Sequence, residues 1–100
     1  MTDRAARMET TLRRAFAPAA LRITDDSAQH AGHAGAAPGG QTHYTVVMVA
    51  AGFQGQTRVA RSRAVHAALE PEFAAGLHAL ALTLRTPEEQ ARLAAGETGG

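Results

Sequence analysis

Histidine is the side chain in this sequence that best suits a transition metal, since the 100 residues include five histidines and no cysteine. Imidazole nitrogen is a ligand that zinc, copper and iron all accept. His30 and His33 form an H-x-x-H pattern, a spacing that could share one metal ion on a helix. Glycine and alanine surround them, and solvated histidines are common in such loops. A solvated loop is therefore the preferred interpretation of the spacing alone, and a metal site is the alternative.

A third histidine, His78, stands at the head of an apolar run and lies in the sequence GLHA at residues 76–79. A histidine in that position is more often a hydrogen-bonded strand-end residue than a metal ligand. Residue type and position alone therefore predict a structural role for His78, with metal ligation as the alternative.

Arginine is the second residue type that could carry a function. The chain has ten arginines and no lysine, but its formal net charge is only +1, so no global field draws it to nucleic acid or an anionic membrane. A local cluster follows the glycine-bounded turn from Gly52 to Gly55 and consists of Arg58, Arg61 and Arg63. These arginines could hold DNA phosphates. A solvated helix rim is the preferred alternative, and an acidic partner surface is another.

The sequence lacks the patterns that would predict an enzyme. It contains no Ser/His/Asp order, no supported pair of carboxylates and no phosphate loop, and Asp25-Asp26 is typical of a turn after a strand. No apolar run approaches the ~20 residues that span a bilayer, and the N-terminus has no apolar stretch of signal-peptide length. We therefore expect a cytoplasmic binding module rather than an enzyme or a membrane protein.

The elements that must position these residues begin with an amphipathic helix. Met8, Leu12 and Phe16 recur at the helical period, and the helix is expected to end near Ala17 and Pro18. Strands are predicted at 21–24 and 43–50, joined by a mobile, glycine-rich loop over about 27–42. With 45% apolar residues, 1–100 is predicted to be a single domain.

The second half is predicted to add a helix, a strand and a final helix. The helix over about 56–69 presents a packing face of Val59, Ser62, Val65, His66 and Leu69, and residues 70–73 are expected to break it. A strand at 77–84 then places His78 on one face with Leu80, Leu82 and Leu84. The last helix starts at Thr86 with Pro87 and a capping box to Glu89, and it is followed by a frayed tail over about 95–100. The order α-β-β-α-β-α predicts an α+β fold, a three-stranded mixed sheet packed with helices.

Three separated motifs resemble those of the BolA family and occur in the same order: F-x-G at 53–55, R-x-R-x-V at 61–65 and G-x-H-A at 76–79. The resemblance extends from Met8 to about Leu93 and implies a class II KH-like fold. It also implies that His78 is the principal ligand of a [2Fe-2S] cluster held jointly with a monothiol glutaredoxin and glutathione. A chain without cysteine fits such sharing, because the partner would supply the thiolates.

The resemblance further implies a second ligand from the loop between the first two strands. The candidates are His33, His30 and His43, and the order of preference places His33 first and His30 second, because a mobile loop can reorganise around a metal. His43 is expected to be fixed by its strand backbone. The chain departs from the family pattern at Ala28 and Ser62, where the family has histidines.

Two functions follow from the sequence. The first is a role in iron-sulfur cluster trafficking or iron and redox regulation as the partner of a monothiol glutaredoxin, with the apo chain a monomer or a weak homodimer. The alternative is a DNA-binding transcriptional regulator that uses Gly52, Gly55, Arg58, Arg61 and Arg63.

Overall fold

A computed structural model describes residues 3–26 and 42–99 of the chain. The predicted mobile loop at 27–42 lies outside this part except for its last residue, Thr42. The helices and strands are, in chain order, α1 (Arg4–Phe16), β1 (Ala20–Asp25), β2 (His43–Val49), α2 (Arg58–Ala68), α3 (Glu70–Ala74), β3 (Ala79–Arg85) and α4 (Pro87–Gly99), with a 3-10 turn at Ala51–Phe53 before α2.

The three strands form one mixed sheet in the order β1-β2-β3. β1 pairs with β2 in antiparallel orientation, and β2 pairs with β3 in parallel. The predicted α+β fold with a three-stranded mixed sheet is confirmed, and the short helix α3 adds one element to the predicted order. In the parallel pair, His43 lies opposite Ala79 and Val49 lies opposite Arg85. The residues that precede β2 and β3 are therefore neighbours at one end of the sheet.

The core lies between one face of the sheet and the helices. Alternate β2 residues Tyr44, Val46 and Met48 are buried, as expected for a central strand. α1 covers them with Met8 and Leu12, which confirms its predicted apolar face. The other members of the buried cluster come from the turns and from the second half of the chain: Ala50, Phe53, Val65, Leu69 and Leu77.

The predicted packing face of α2 is wrong in part. Val59 is 59% exposed and His66 is also exposed, whereas Arg61 and Val65 are buried. The helix is rotated so that an arginine faces the sheet instead of Val59. The reason is that Arg61 finds hydrogen-bond acceptors for its guanidinium there, which offset the cost of burying its charge.

The segment after α2 also differs from the prediction. The helix α2 ends at Ala68 with Leu69 as its C-cap, within one residue of the expected end. The residues that follow form the short helix α3, with Pro71 in its first turn, where its missing N–H costs nothing. β3 begins at Ala79, so the exposed His78 precedes the strand rather than joining its core-facing row. α4 extends through Gly99, whereas a frayed tail was predicted from about residue 95.

The predicted start of α4 is confirmed. Glu89 N donates to Thr86 Oγ1 at 3.1 Å, and Thr86 N donates to Glu89 Oε1 at 2.8 Å, which is a capping box. In the described part of the chain, no helix has the length and apolar character needed to cross a membrane.

Candidate metal centre

Two histidine rings meet where β2 and β3 begin. His43 is the first residue of β2, and His78 immediately precedes β3. Their ring centres are 5.3 Å apart, and the ring planes make an angle of 48°. Two imidazoles bound to one metal ion through bonds of about 2 Å, at a tetrahedral angle, also hold their centres about 5 Å apart. The pair therefore has a spacing that suits ligation of a single metal ion.

Thr42 contacts both histidines, one through its backbone carbonyl and the other through its hydroxyl. The Thr42 carbonyl accepts from His78 N at 2.8 Å and from Ala79 N at 3.0 Å. The Thr42 hydroxyl oxygen lies 2.9 Å from His43 Nδ1. A hydrogen bond to one ring nitrogen is the usual way in which a protein orients a histidine ligand and selects its tautomer. Thr42 thus positions one histidine through its ring and the other through its backbone.

The loop before His78 is held by an ion-pair cluster in which Arg4 and Glu72 are buried and Arg7 is exposed. Arg4 donates to Glu72 Oε1 at 3.1 Å and to the carbonyl of Ala75 at 2.9 Å. Arg7 donates to both carboxylate oxygens of Glu72 at 3.0 Å. Leu77 N then donates to the backbone carbonyl of Glu72 at 2.8 Å. We call Arg4, Arg7 and Glu72 the Glu72 cluster, and it ties α1 to the loop that carries His78.

Gly76 gives the loop before His78 a backbone conformation that leaves room for Arg4 of the Glu72 cluster. Its φ of +123° is a conformation that residues with a Cβ rarely adopt. A Cβ at this position would also lie 3.3 Å from Arg4 Nη2. The glycine two residues before His78 is therefore required by the backbone and by the close approach of the arginine.

The charges of the Glu72 cluster support one another. Hydrogen bonding from Arg7 is the largest influence on the pKa of Glu72, and with the bond from Arg4 it lowers that pKa against the opposing effect of burial. The same bond to Glu72 raises the pKa of Arg7. The carboxylate is therefore ionised at neutral pH, and the cluster stays intact. No sequence pattern indicated the Glu72 cluster, because Arg4 and Glu72 are 68 residues apart.

The donor set of the pair fits one half of a [2Fe-2S] cluster. Within the described residues, no group of three or more His, Cys, Asp or Glu side chains could hold a metal ion. Two imidazoles suffice for one iron of a [2Fe-2S] cluster, as in Rieske centres, where two histidines replace two cysteines on one iron. His43 and His78 are therefore suited to half of such a cluster.

The structure brings His78 together with one of its three predicted companions. His33 and His30 lie outside the described residues, and their ranking stays a prediction. His43, which the sequence ranked third, is the histidine that lies beside His78. His43 was expected to be fixed by its strand backbone, and that strand places it at the start of the parallel pair, opposite Ala79.

The residues of the predicted nucleic-acid surface are only partly exposed. Gly52 and Gly55 are exposed in the turn before α2, where Gly55 has a φ of +79°, and Arg58 and Arg63 are exposed on the helix. Arg61 is only 6% exposed. Its predicted place on a solvated helix rim is therefore wrong.

Arg61 instead links α2 to the end of β3 and the start of α4. Its two terminal nitrogens donate to the Glu89 carboxylate at 2.7 and 3.1 Å. It also donates to the carbonyls of Leu84 and Gln56, each at 3.1 Å, and lies over the ring of Phe53. The Arg61 hydrogen bond and the capping bond from Thr86 lower the pKa of Glu89 to about 2. The guanidinium thus makes four hydrogen bonds within the fold.

Comparison with known proteins gives one family. The family model described as BolA-like protein matches residues 12–89. Protein BOLA1, chloroplastic, from Arabidopsis thaliana is 43% identical over 89 residues, which are 87% of this chain and 56% of that protein. The chain thus spans little more than half of that relative. A protein from Sinorhizobium sp., described as an uncharacterized protein in the cobS 5' region, is 43% identical over 86 residues, 85% of this chain and 92% of that protein.

Solved structures agree with the sequence comparison. The structure of BolA1 from Arabidopsis thaliana superposes with a TM-score of 0.79 at 42% identity and covers 89% of this chain and 97% of that one. The family match over residues 12–89 includes all three strands and the loop that carries His78.

Proposed function

The chain belongs to the BolA family, and we propose that it is a binding module that holds a [2Fe-2S] cluster jointly with a monothiol glutaredoxin and glutathione. One observation carries the proposal: the rings of His43 and His78 lie 5.3 Å apart, a distance suited to one iron. The wider role is iron-sulfur cluster trafficking or iron and redox regulation in the cytoplasm. Its cytoplasmic location stays a prediction.

The chemistry of the two sides of such a complex is complementary. Iron-sulfur clusters need thiolate ligands, and this chain has no cysteine. The glutaredoxin cysteine and glutathione would supply the sulfur ligands, and the two imidazoles would supply nitrogen to the other iron. Exchanging thiolate for imidazole generally raises the reduction potential of a cluster. On this proposal the chain is not an enzyme, and its apo form is a monomer or a weak homodimer.

The residues around His43 and His78 position the two rings in different ways. Thr42 orients the His43 ring and holds the backbone of His78, while Arg4 and Glu72 fix the loop that precedes it. Such outer contacts set the direction of a metal-ligating ring. We propose His43 as the second ligand beside His78, and His33 and then His30 are its rivals.

The test is a titration of the chain into [2Fe-2S]-loaded monothiol glutaredoxin, followed by visible absorption and circular dichroism. We expect the wild-type chain to change the cluster spectrum and His78→Ala to abolish that change. His66→Ala is the matched control, because His66 is an exposed histidine on α2. A His78→Ala variant that matches wild type would contradict the proposal.

A second pair of variants identifies the other ligand. If His43 ligates the iron, His43→Ala loses the spectral change and His33→Ala retains it. The reverse result would assign the second position to the segment between β1 and β2. Circular dichroism in the far ultraviolet checks that each variant is folded.

The DNA-binding alternative has less support. Of the three arginines that it uses, Arg61 is buried and paired with Glu89. Arg58 and Arg63 alone would make a small electrostatic contribution to binding of the DNA backbone. This alternative predicts salt-dependent DNA binding that weakens on Arg63→Ala in a folded protein.

A further inference from the structure

A cleft of about 640 Å³ lies between α2, β3 and α4. Its walls include Leu82, Leu84, Arg85 and Glu89, so it lies at the end of β3 where α4 begins. The histidine pair is at the opposite end of the same strand. We call this cavity the arginine cleft.

The lining of the arginine cleft is strongly basic. The described lining residues include four arginines and one acid, Glu89. The arginines are Arg58, Arg61, Arg85 and Arg92. Arg61 and Glu89 bind each other through both carboxylate oxygens and so cancel locally. Arg58, Arg85 and Arg92 give the described lining an excess of positive charge, although Glu89 also attracts Arg92, in a chain whose formal net charge is only +1.

These three arginines keep donors for a ligand. Neither Arg58 nor Arg92 has a hydrogen-bonding partner among the described residues. Arg85 donates one bond, from Nη1 to Gln90 Oε1 at 3.0 Å, and a guanidinium has five N–H donors. That bond restrains the Arg85 side chain while most of its donors stay unused.

An apolar wall lies beside these charges. Leu82 and Leu84 are half-buried in the cleft, and Leu93 of α4 is 45% exposed. Leu93 and Val59 are the two large apolar side chains exposed in the described part of the chain. The cleft has a volume within the range of small-molecule sites, and its three leucines give an otherwise charged lining one apolar side.

We propose that the arginine cleft binds a small organic phosphate monoester. Arg58, Arg85 and Arg92 contact the phosphate, because the planar guanidinium fork matches phosphate oxygens in bidentate hydrogen bonds. Leu82, Leu84 and Leu93 contact the organic group. A nucleic-acid backbone would not use this apolar wall, since backbone contacts rely on charge and hydrogen bonds. The site is independent of the histidine pair.

The first test is a titration of the isotope-labelled full chain with adenosine monophosphate, followed by amide chemical shifts. Adenosine and inorganic phosphate are the two comparison probes, since adenosine carries only the organic group and inorganic phosphate carries only the phosphate. We expect saturable shifts at Thr83, Leu84 and Arg92 and tighter binding of the nucleotide than of either probe. No saturable shift at millimolar nucleotide, or equal affinity for inorganic phosphate, would overturn the proposal.

The second test compares two exposed helix arginines whose loss changes the net charge equally. Arg92→Gln removes a cleft arginine, and Arg14→Gln removes one from α1. We expect Arg92→Gln to raise the nucleotide Kd about tenfold, as for loss of a charged hydrogen bond, and Arg14→Gln to leave it nearly unchanged. Equal weakening by both variants would overturn the site. So would a short DNA duplex that shifts the same amides at a lower Kd than the nucleotide.

Discussion

Each end of β3 is held by a buried arginine that pairs with a glutamate, but the two pairs connect different parts of the fold. Where β3 begins, Arg4 pairs with Glu72, whose side chain is 11% exposed. Where β3 ends, Arg61 pairs with Glu89, whose side chain is 35% exposed. The first pair holds the loop that presents His78, and the second joins α2 to the cap of α4.

In this small domain, global stability and the position of the histidine pair depend on different ion pairs. Arg61 satisfies carbonyls of two other segments, at Gln56 and Leu84, so it connects three parts of the fold. Glu72 is bound by Arg7 as well as by Arg4, so its carboxylate keeps a partner if one arginine is lost. We therefore expect changes at the Arg61 end to lower global stability, and changes at the Glu72 end to disturb mainly the His78 loop.

The largest effect is expected for Arg61→Ala. The variant removes the Arg61 hydrogen bonds to the Gln56 and Leu84 carbonyls and leaves the Glu89 carboxylate with only its capping bond from Thr86 N, and it opens a cavity over Phe53. Loss of one partner of a buried pair costs several kcal/mol, and access of water to Glu89 reduces this to about 2 kcal/mol. Thermal denaturation should show a Tm lower by roughly 10 °C.

Arg63→Ala is the control on the same helix. Arg63 is exposed, so its loss should change the free energy of unfolding by less than about 0.5 kcal/mol. Equal Tm values for the two variants would show that Arg61 does not secure this end of β3.

Gly76→Ala is expected to have the next largest effect, and it acts at the other end of the strand. Its φ of +123° strains any residue with a Cβ, at a cost of about 1.5 kcal/mol. Gly52→Ala is the matched control, because Gly52 has an ordinary φ and a Cβ there would meet nothing within 4 Å. Chemical denaturation measures the free energy of unfolding of the two variants. A similar loss of stability in both would contradict the prediction for Gly76.

Arg4→Ala should cost less stability than either change but should affect the histidine pair directly. Arg7 still binds Glu72 in this variant, so we expect a loss of about 1 kcal/mol for the remaining buried bonds. Amide exchange at Leu77 and His78 should quicken, and the nuclear Overhauser contact between the His43 and His78 rings should weaken.

Arg13→Ala, on the exposed side of α1, removes only a local pair with Glu9 and should leave the His78 loop unchanged. If Arg61→Ala loosened the His78 loop as selectively as Arg4→Ala, the separation between the two ends of β3 would be lost.

The sequence was sufficient to predict features that depend on near neighbours. The capping box at Thr86 and Glu89 involves residues three positions apart, and the apolar face of α1 repeats with the helical period. The strands follow from their composition and alternation. These are local patterns, and each was confirmed in the structure.

The histidine pair and the burial of Arg61 depend on contacts between residues far apart in the sequence, which no local pattern encodes. His43 meets His78 because β2 and β3 are parallel and in a particular register. Arg61 was expected at the surface because arginine is rarely buried unless paired, and its partner Glu89 is 28 residues away.

The smallest expected effect is a difference in acid sensitivity between the two pairs. Glu89 has its pKa lowered from 4.5 to about 2, mainly by the hydrogen bond from Arg61. The pKa of Glu72 is lowered mainly by the bond from Arg7. A carboxylate with a lowered folded-state pKa contributes stability that is complete above its unfolded-state pKa and is lost as pH falls through the folded value. Both contributions should therefore be complete above about pH 4.5, and that of Glu89 should be lost as pH falls towards 2.

Glutamine variants separate these two contributions. Glu89→Gln keeps an oxygen for the Thr86 cap and removes the charge, so its stability should vary less with pH than that of wild type over this window. Glu72→Gln should flatten the same curve and also loosen the His78 loop at neutral pH, because Arg4 and Arg7 lose their shared carboxylate. Denaturant midpoints and amide exchange at Leu77, measured from pH 7 downward, report the two effects separately. A His78 loop that responds to Glu89→Gln and not to Glu72→Gln would reverse the roles assigned to the two ends of β3.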